Sequence, residues 1–137
     1  MNRKLLPCAM TCGLLLGALP LQAELPPLIP RDVLFGNPDK VSPQISPDGT
    51  KMTYIAPDNG VLNVYLKTIG KNDDKVITHD TYRGIRSQFW AHNGRNVLYV
   101  QDKGGDENYH VYSVDIKTMD VKDLTPFEKV RAMVTAT

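Results

Sequence analysis

From Val41 onward the chain is a series of apolar runs of four to eight residues, each cut off by a cluster of turn-forming residues. Runs of that length, rich in Val, Ile, Thr and Tyr, predict β-strands. The first four are 41–46 (VSPQIS), 51–57 (KMTYIAP), 62–69 (LNVYLKTI) and 75–78 (KVIT). The next four are 84–91 (GIRSQFWA), 96–102 (NVLYVQD), 109–116 (YHVYSVDI) and 121–125 (VKDLT), and a ninth opens at 130–137 (VRAMVTAT). Between them lie SPDG (46–49), DNG (58–60), GKNDD (70–74), HNGR (92–95), KGGDEN (103–108) and KTMD (117–120). Proline at the second turn position presets φ, Asp and Asn bond back to the backbone, and Gly accepts positive φ. Ahead of the strands, 24–40 is an extended lead-in. ELPPLIP (24–30) holds three prolines, and RDVLFGNP (31–38) has room for a short helical turn before the breaker Gly36-Asn37-Pro38.

The pattern recurs in register. Asp48, Gly49, Met52, Tyr54 and Ile55 match Asn93, Gly94, Val97, Tyr99 and Val100 at an offset of 45 residues. After a two-residue insertion in the second hairpin tip, Val64, Tyr65, Ile69 and Thr78 match Val111, Tyr112, Ile116 and Thr125 at 47. Four short strands per unit of ~40–50 residues is the pattern of a β-propeller blade. Apolar residues on both faces of each strand suit a sheet sandwiched between neighbours. The predicted fold is therefore all-β, a partial β-propeller with blade 1 over 41–78, blade 2 over 84–125 and the start of blade 3 over 130–137. An ordinary antiparallel sandwich is the alternative. A blade buries its faces only against its neighbours, so two blades are expected to leave two open flanks. One uncovered flank, on the order of several hundred Å² at ~25 cal/mol per Å², forfeits roughly 10 kcal/mol. The isolated chain is thus expected to be marginal, aggregation-prone or dependent on a partner.

Composition changes the picture at the N-terminus. Residues 1–23 combine Arg3 and Lys4 with a leucine-rich run ending at Ala23, the pattern of a signal peptide. An uncleaved membrane anchor is the alternative, although Pro7, Gly13, Gly17 and Pro20 interrupt the run. Cleavage would leave no stable membrane insertion and would remove both cysteines, Cys8 and Cys12, so the mature chain would have neither a disulfide nor a thiolate metal site. It would also take the balance from 16 basic against 15 acidic residues to 14 against 15, which gives no reason to expect a nucleic-acid partner.

LIPRDVLFGNPDKVSPQISPDGTKMTYIAP, RGIRSQFWAHNGRNVLYVQDKGGDEN, HVYSVDI and DLTPFEKVRA together resemble the start of the propeller in the prolyl oligopeptidase family of serine peptidases, in its exported bacterial dipeptidyl aminopeptidase and acylaminoacyl-peptidase-like branch. The resemblance spans nearly all of 28–137. The SPDG turn is shared with TolB-like and WD-type propellers, whereas the block from Arg83 to Asn108 is more specific. The resemblance implies a periplasmic enzyme in which a propeller gates peptide access to a C-terminal α/β-hydrolase domain with a Ser-Asp-His triad. The G-x-S-x-G motif of that triad is absent here. Ser42, Ser46, Ser87 and Ser113 lack the flanking glycines, so no catalytic residue is assigned and the chain alone is expected to be inactive. The missing blades and the hydrolase domain are its expected partners. A non-catalytic TolB-like binding module and a non-functional truncated product are the alternatives.

The remaining candidates carry no assigned site. His79, His92 and His110 lack metal-ligand spacing, and Asp102, Asp106, Glu107 and Asn108 lack the order of a calcium loop. No cofactor-binding or metal site is expected, and the acidic tip reads as solvated. Arg83 and Arg86 suit either an ion pair between blades, with Asp106 or Glu107, or a grip on a peptide carboxylate. Trp90 and Phe89 are expected to pack between blades.

Overall fold

The computed structural model describes residues 25–135. The signal-peptide assignment at 1–23 lies outside them. The structure is two four-stranded antiparallel sheets whose strand order follows the chain. The first holds β1 (Val41–Ile45), β2 (Lys51–Asp58), β3 (Val61–Thr68) and β4 (Lys75–Val76). The second holds β5 (Gln88–Trp90), β6 (Asn96–Gln101), β7 (His110–Asp115) and β8 (Val121–Asp123). The predicted helical turn forms as α1 (Arg31–Phe35), with no buried residue of its own.

The internal repeat holds down to single hydrogen bonds. Tyr54 pairs with Tyr65 across β2 and β3, and Tyr99 with Tyr112 across β6 and β7, each pair stacked at 5.5 and 5.2 Å between ring centroids. Gly49 N–H donates to Ser46 O and Gly94 N–H to Ala91 O. The trailing threonines explain themselves. Thr78 Oγ1 accepts from Val64 N–H at 2.8 Å, and Thr125 Oγ1 accepts from Val111 N–H at 3.0 Å, where each outer strand has run out of ladder. Thr78 also donates to the buried Asn63 and is itself 1% exposed. Thr78→Val is expected to destabilise the fold by about 1–3 kcal/mol, because it leaves a buried N–H unpaired. Thr125→Val, at a half-buried site, is expected to cost less. Urea midpoints of the two variants check this order.

The core is the seam between the sheets. Ile55, Val64, Leu66 and Ile77 of blade 1 cluster with Trp90, Val97, Tyr99, Val114 and Ile116 of blade 2 and with Ile85 from the crossing. Strand alternation sets Thr53 and Ile55 toward blade 2 and Tyr54 away from it. A bulge helps to lock the seam. The β1–β2 register shifts between Val41 and Gln44, and Ser42 adopts φ 51°. Ser42 O accepts from Gln88 Nε2 at 2.9 Å, Gln88 Oε1 accepts from Thr53 Oγ1 at 2.8 Å, and Gln44 Nε2 donates to Gln88 O at 2.7 Å.

Three expectations need amending. The strand predicted at 84–91 begins only at Gln88, because Ile85 N–H still donates to Leu62 O of blade 1, and Gly84 packs so closely on Leu62 that a Cβ would meet its backbone N at 3.2 Å. Residues 130–135 form no strand. They lie beside Phe89, Val100 and Tyr109, with one backbone bond, from Ala132 N–H to Tyr109 O. The two flanks are also not equally open. On blade 1 Tyr54 is 3% exposed, roofed by Lys40 Nζ 4.5 Å above its ring and by a hydroxyl bond to Asp74, which Lys40 and Lys67 also reach at 3.5 and 3.3 Å. On blade 2 Phe89, Leu98 and Val100 are only partly covered.

Candidate functional site

Antiparallel order sorts the loops onto two ends. One end collects the turns at 46–50, 69–74, 91–95 and 116–120. The other collects the two-residue turn at 59–60, the longer tip at 102–109, and the segments leaving β4 and β8. That crossing end carries Arg83, Arg86, His79, His110 and the acidic tip, and is the surface where candidate chemistry gathers. His92 lies in a turn at the opposite end, so the structure does not bring the three histidines together.

Arg83 does form an ion pair, but with a different partner from the one expected. Its Nε stands 3.7 Å from Asp102 Oδ1, while Asp106 and Glu107 are exposed. Asp102 is 7% exposed, and its other oxygen accepts from Glu107 N–H at 3.3 Å. The pair therefore fastens the β6–β7 tip to the crossing. Gly105 passes so close beneath the guanidinium that a Cβ there would sit 3.5 Å from Cζ. Asp106 closes its own tip, accepting from Lys103 and Asn108 N–H, and these bonds, with that from the Asn108 side chain foremost, hold its carboxyl below the usual range.

His110 is the histidine with an ordered partner. Its Nδ1 stands 2.7 Å from Asp123 Oδ2, and its ring stacks beside Tyr112. The two residues edge an open groove of about 540 Å³ that continues to Lys103 and Phe127. His79 borders a smaller recess of about 220 Å³ with Asp58 and Asp80. No serine hydroxyl among the described residues bonds to a histidine. Ser46 Oγ serves Asp48 and Lys51, and Ser113 Oγ accepts from Asn96.

At the turn end the matched turns differ in charge. Asp48 is held at about 2, chiefly by the Ser46 hydroxyl and then by Thr50 N–H and hydroxyl. Asn93 occupies the same position in blade 2 and, without a charge, accepts from Arg95 N–H as Asp48 does from Thr50 N–H, and from Asn96 N–H as well. A depressed carboxyl adds stability above its unfolded pKa and loses it as pH falls through the folded one. Asp74, also held at about 2, titrates in the same window. Blade 1 is therefore expected to loosen between about pH 4 and about pH 2, and Asp48→Asn to flatten part of that profile. Circular dichroism during acid titration of both proteins checks this, and an unchanged profile in the variant would count against it.

Gln88 is the buried polar residue that sequence reasoning missed. Its partners lie 35 to 46 residues away, and nothing local in SQFW marks it as a bridge.

No family model matches the chain. It is 49% identical over 108 residues to dipeptidyl aminopeptidase BIII of Pseudoxanthomonas mexicana, a stretch that makes up 78% of this chain and 16% of that protein. The chain thus spans a small fraction of that relative's length. Among solved structures it is similar to TolB from Acinetobacter baumannii, at TM-score 0.54 and 25% identity, over 66% of this chain and 22% of that one. It is also similar to the β-propeller domain of the Trilobed protease from Pyrococcus furiosus, at TM-score 0.51 and 22% identity, over 65% of this chain and 30% of that one.

Proposed function

This chain belongs, over its propeller portion, to the prolyl oligopeptidase family of serine peptidases, and from that premise we propose that its two blades are the leading part of a propeller that gates an exported peptidase. The carrying observation is the 49% identity with a dipeptidyl aminopeptidase, on a segment whose matched strands form consecutive blades. A gate of this kind needs a stiff wall, and the seam supplies one through a packed core and the buried bridge of Gln88. The proposed substrates are peptides, admitted by size, and the serine chemistry belongs to an α/β-hydrolase domain outside these residues. Export is proposed from the N-terminal pattern of 1–23.

The test is a chimera in which residues 28–135 replace their counterparts in dipeptidyl aminopeptidase BIII. It is expected to keep dipeptide release, discrimination against large substrates and fluorophosphonate labelling, while the isolated chain stays unlabelled. A labelled chimera that no longer discriminates by size would overturn the gating role. Stoichiometric labelling of the isolated chain would overturn the placement of the chemistry elsewhere. The likeness to TolB favours a second reading, a non-catalytic binding module. That reading expects a chimera without peptidase activity and a stable complex recovered from the periplasm.

A further inference from the structure

The chain contains two Asn-Gly bonds, Asn59-Gly60 and Asn93-Gly94, and the fold treats them in opposite ways. Asn-Gly is the dipeptide in which a backbone nitrogen is least hindered from attacking the preceding side-chain amide, because glycine has no Cβ. Both sit in exposed hairpin turns, so their surroundings decide which one reacts.

At Asn93 both reacting groups are engaged. Its Oδ1 accepts from Arg95 N–H at 2.9 Å and from Asn96 N–H at 3.0 Å, and its Nδ2 donates to Asn96 Oδ1 at 2.9 Å. The nitrogen that would attack, Gly94 N, donates to Ala91 O at 3.0 Å. Deamidation there requires the turn to open first. At Asn59 the side chain has one weak contact, Nδ2 to Asp58 Oδ1 at 3.3 Å in the open. Among the described residues Gly60 N–H has no hydrogen-bond acceptor. Both residues of this two-residue turn hold positive φ, 49° and 83°, the conformation that an Asn-Gly hairpin turn readily adopts.

We propose that Asn59 is a site of spontaneous deamidation and that Asn93 is protected by its turn. Gly60 N attacks Asn59 Cγ, the bond from Cγ to Nδ2 breaks, and Nδ2 leaves as ammonia carrying the proton lost by Gly60. The cyclic imide that results is opened by water at either carbonyl, to aspartate or isoaspartate. The only co-reactant is water, and nothing is oxidised or reduced. The isoaspartyl product inserts an extra methylene into the main chain of a turn that has only two residues between the paired Asp58 and Val61. It also disturbs the mooring of the lead-in, since Asn37 Nδ2 donates to Gly60 O at 2.8 Å, and it sets a second carboxylate beside Asp58.

The test is timed incubation of the purified full chain in mildly alkaline buffer, with and without urea, followed by tryptic mass spectrometry. The sites separate into the peptides Met52–Lys67 and Ser87–Arg95. In the folded chain the amide-to-acid mass gain is expected to accumulate at Asn59 on the order of tenfold faster than at Asn93, which must first give up several hydrogen bonds. In urea the two rates are expected to converge. Isoaspartyl methyltransferase is expected to label Met52–Lys67 after native incubation. Equal rates in the folded chain, faster reaction at Asn93, or a ratio unchanged by urea would each overturn the proposal.

Discussion

Trp90→Ala is expected to be the most damaging single change in the seam, at about 3–5 kcal/mol, the usual range for truncating a buried aromatic ring. Trp90 is 6% exposed, sits in the cluster that joins the two sheets and donates from Nε1 to Gln44 O at 3.4 Å. Domains of this size are stable by only about 5–15 kcal/mol, so the variant is expected to lose a large part of its folded population. Phe89, its neighbour in sequence, points to the opposite face of β5 and is half-buried. Phe89→Ala is therefore expected to cost clearly less. Urea denaturation followed by far-ultraviolet circular dichroism compares the two. If the Phe89 variant falls as far as the Trp90 variant, the seam is not where the core lies.

Gln88→Leu is the second large effect, expected at about 2–4 kcal/mol, because it strands the fully buried Thr53 hydroxyl in the seam and takes the donor from the part-buried Ser42 O. Burying a polar group without its partner costs more than the bond itself contributes. Adding Thr53→Val to Gln88→Leu removes one stranded group and is expected to recover part of the loss. A double-mutant cycle with fluorescence from Trp90, the single tryptophan, reads this coupling directly. Strictly additive losses would mean that the two side chains do not share a bond.

The architecture was legible because a blade is local. Alternation and turn residues act over a few positions, so the offsets of 45 and 47 alone match Tyr54 and Tyr65 to Tyr99 and Tyr112, the pairs that face each other across the ladders. What could not be read involved groups distant in the chain. Gln88 reaches back to β1 and β2, Arg83 takes Asp102 instead of Asp106 or Glu107, and Lys40 covers Tyr54 from the lead-in. Periodicity carries no information about which polar side chain closes a given gap between sheets. The same limit explains residues 130–135. Their apolar pattern allows a strand, but a strand also needs a partner in register, and their one backbone bond to the sheets runs from Ala132 N–H to Tyr109 O.

Because each sheet adds its strands in chain order, every ladder between the described strands links two that follow each other in sequence. Such topologies fold quickly for an all-β protein. Blade 1 has all its pairing partners by residue 76, so its ladder can form without any residue of blade 2. Docking of the finished sheets is then expected to come last, so that Gln88 and Trp90 are expected to govern how fast the module comes apart more than how fast it forms.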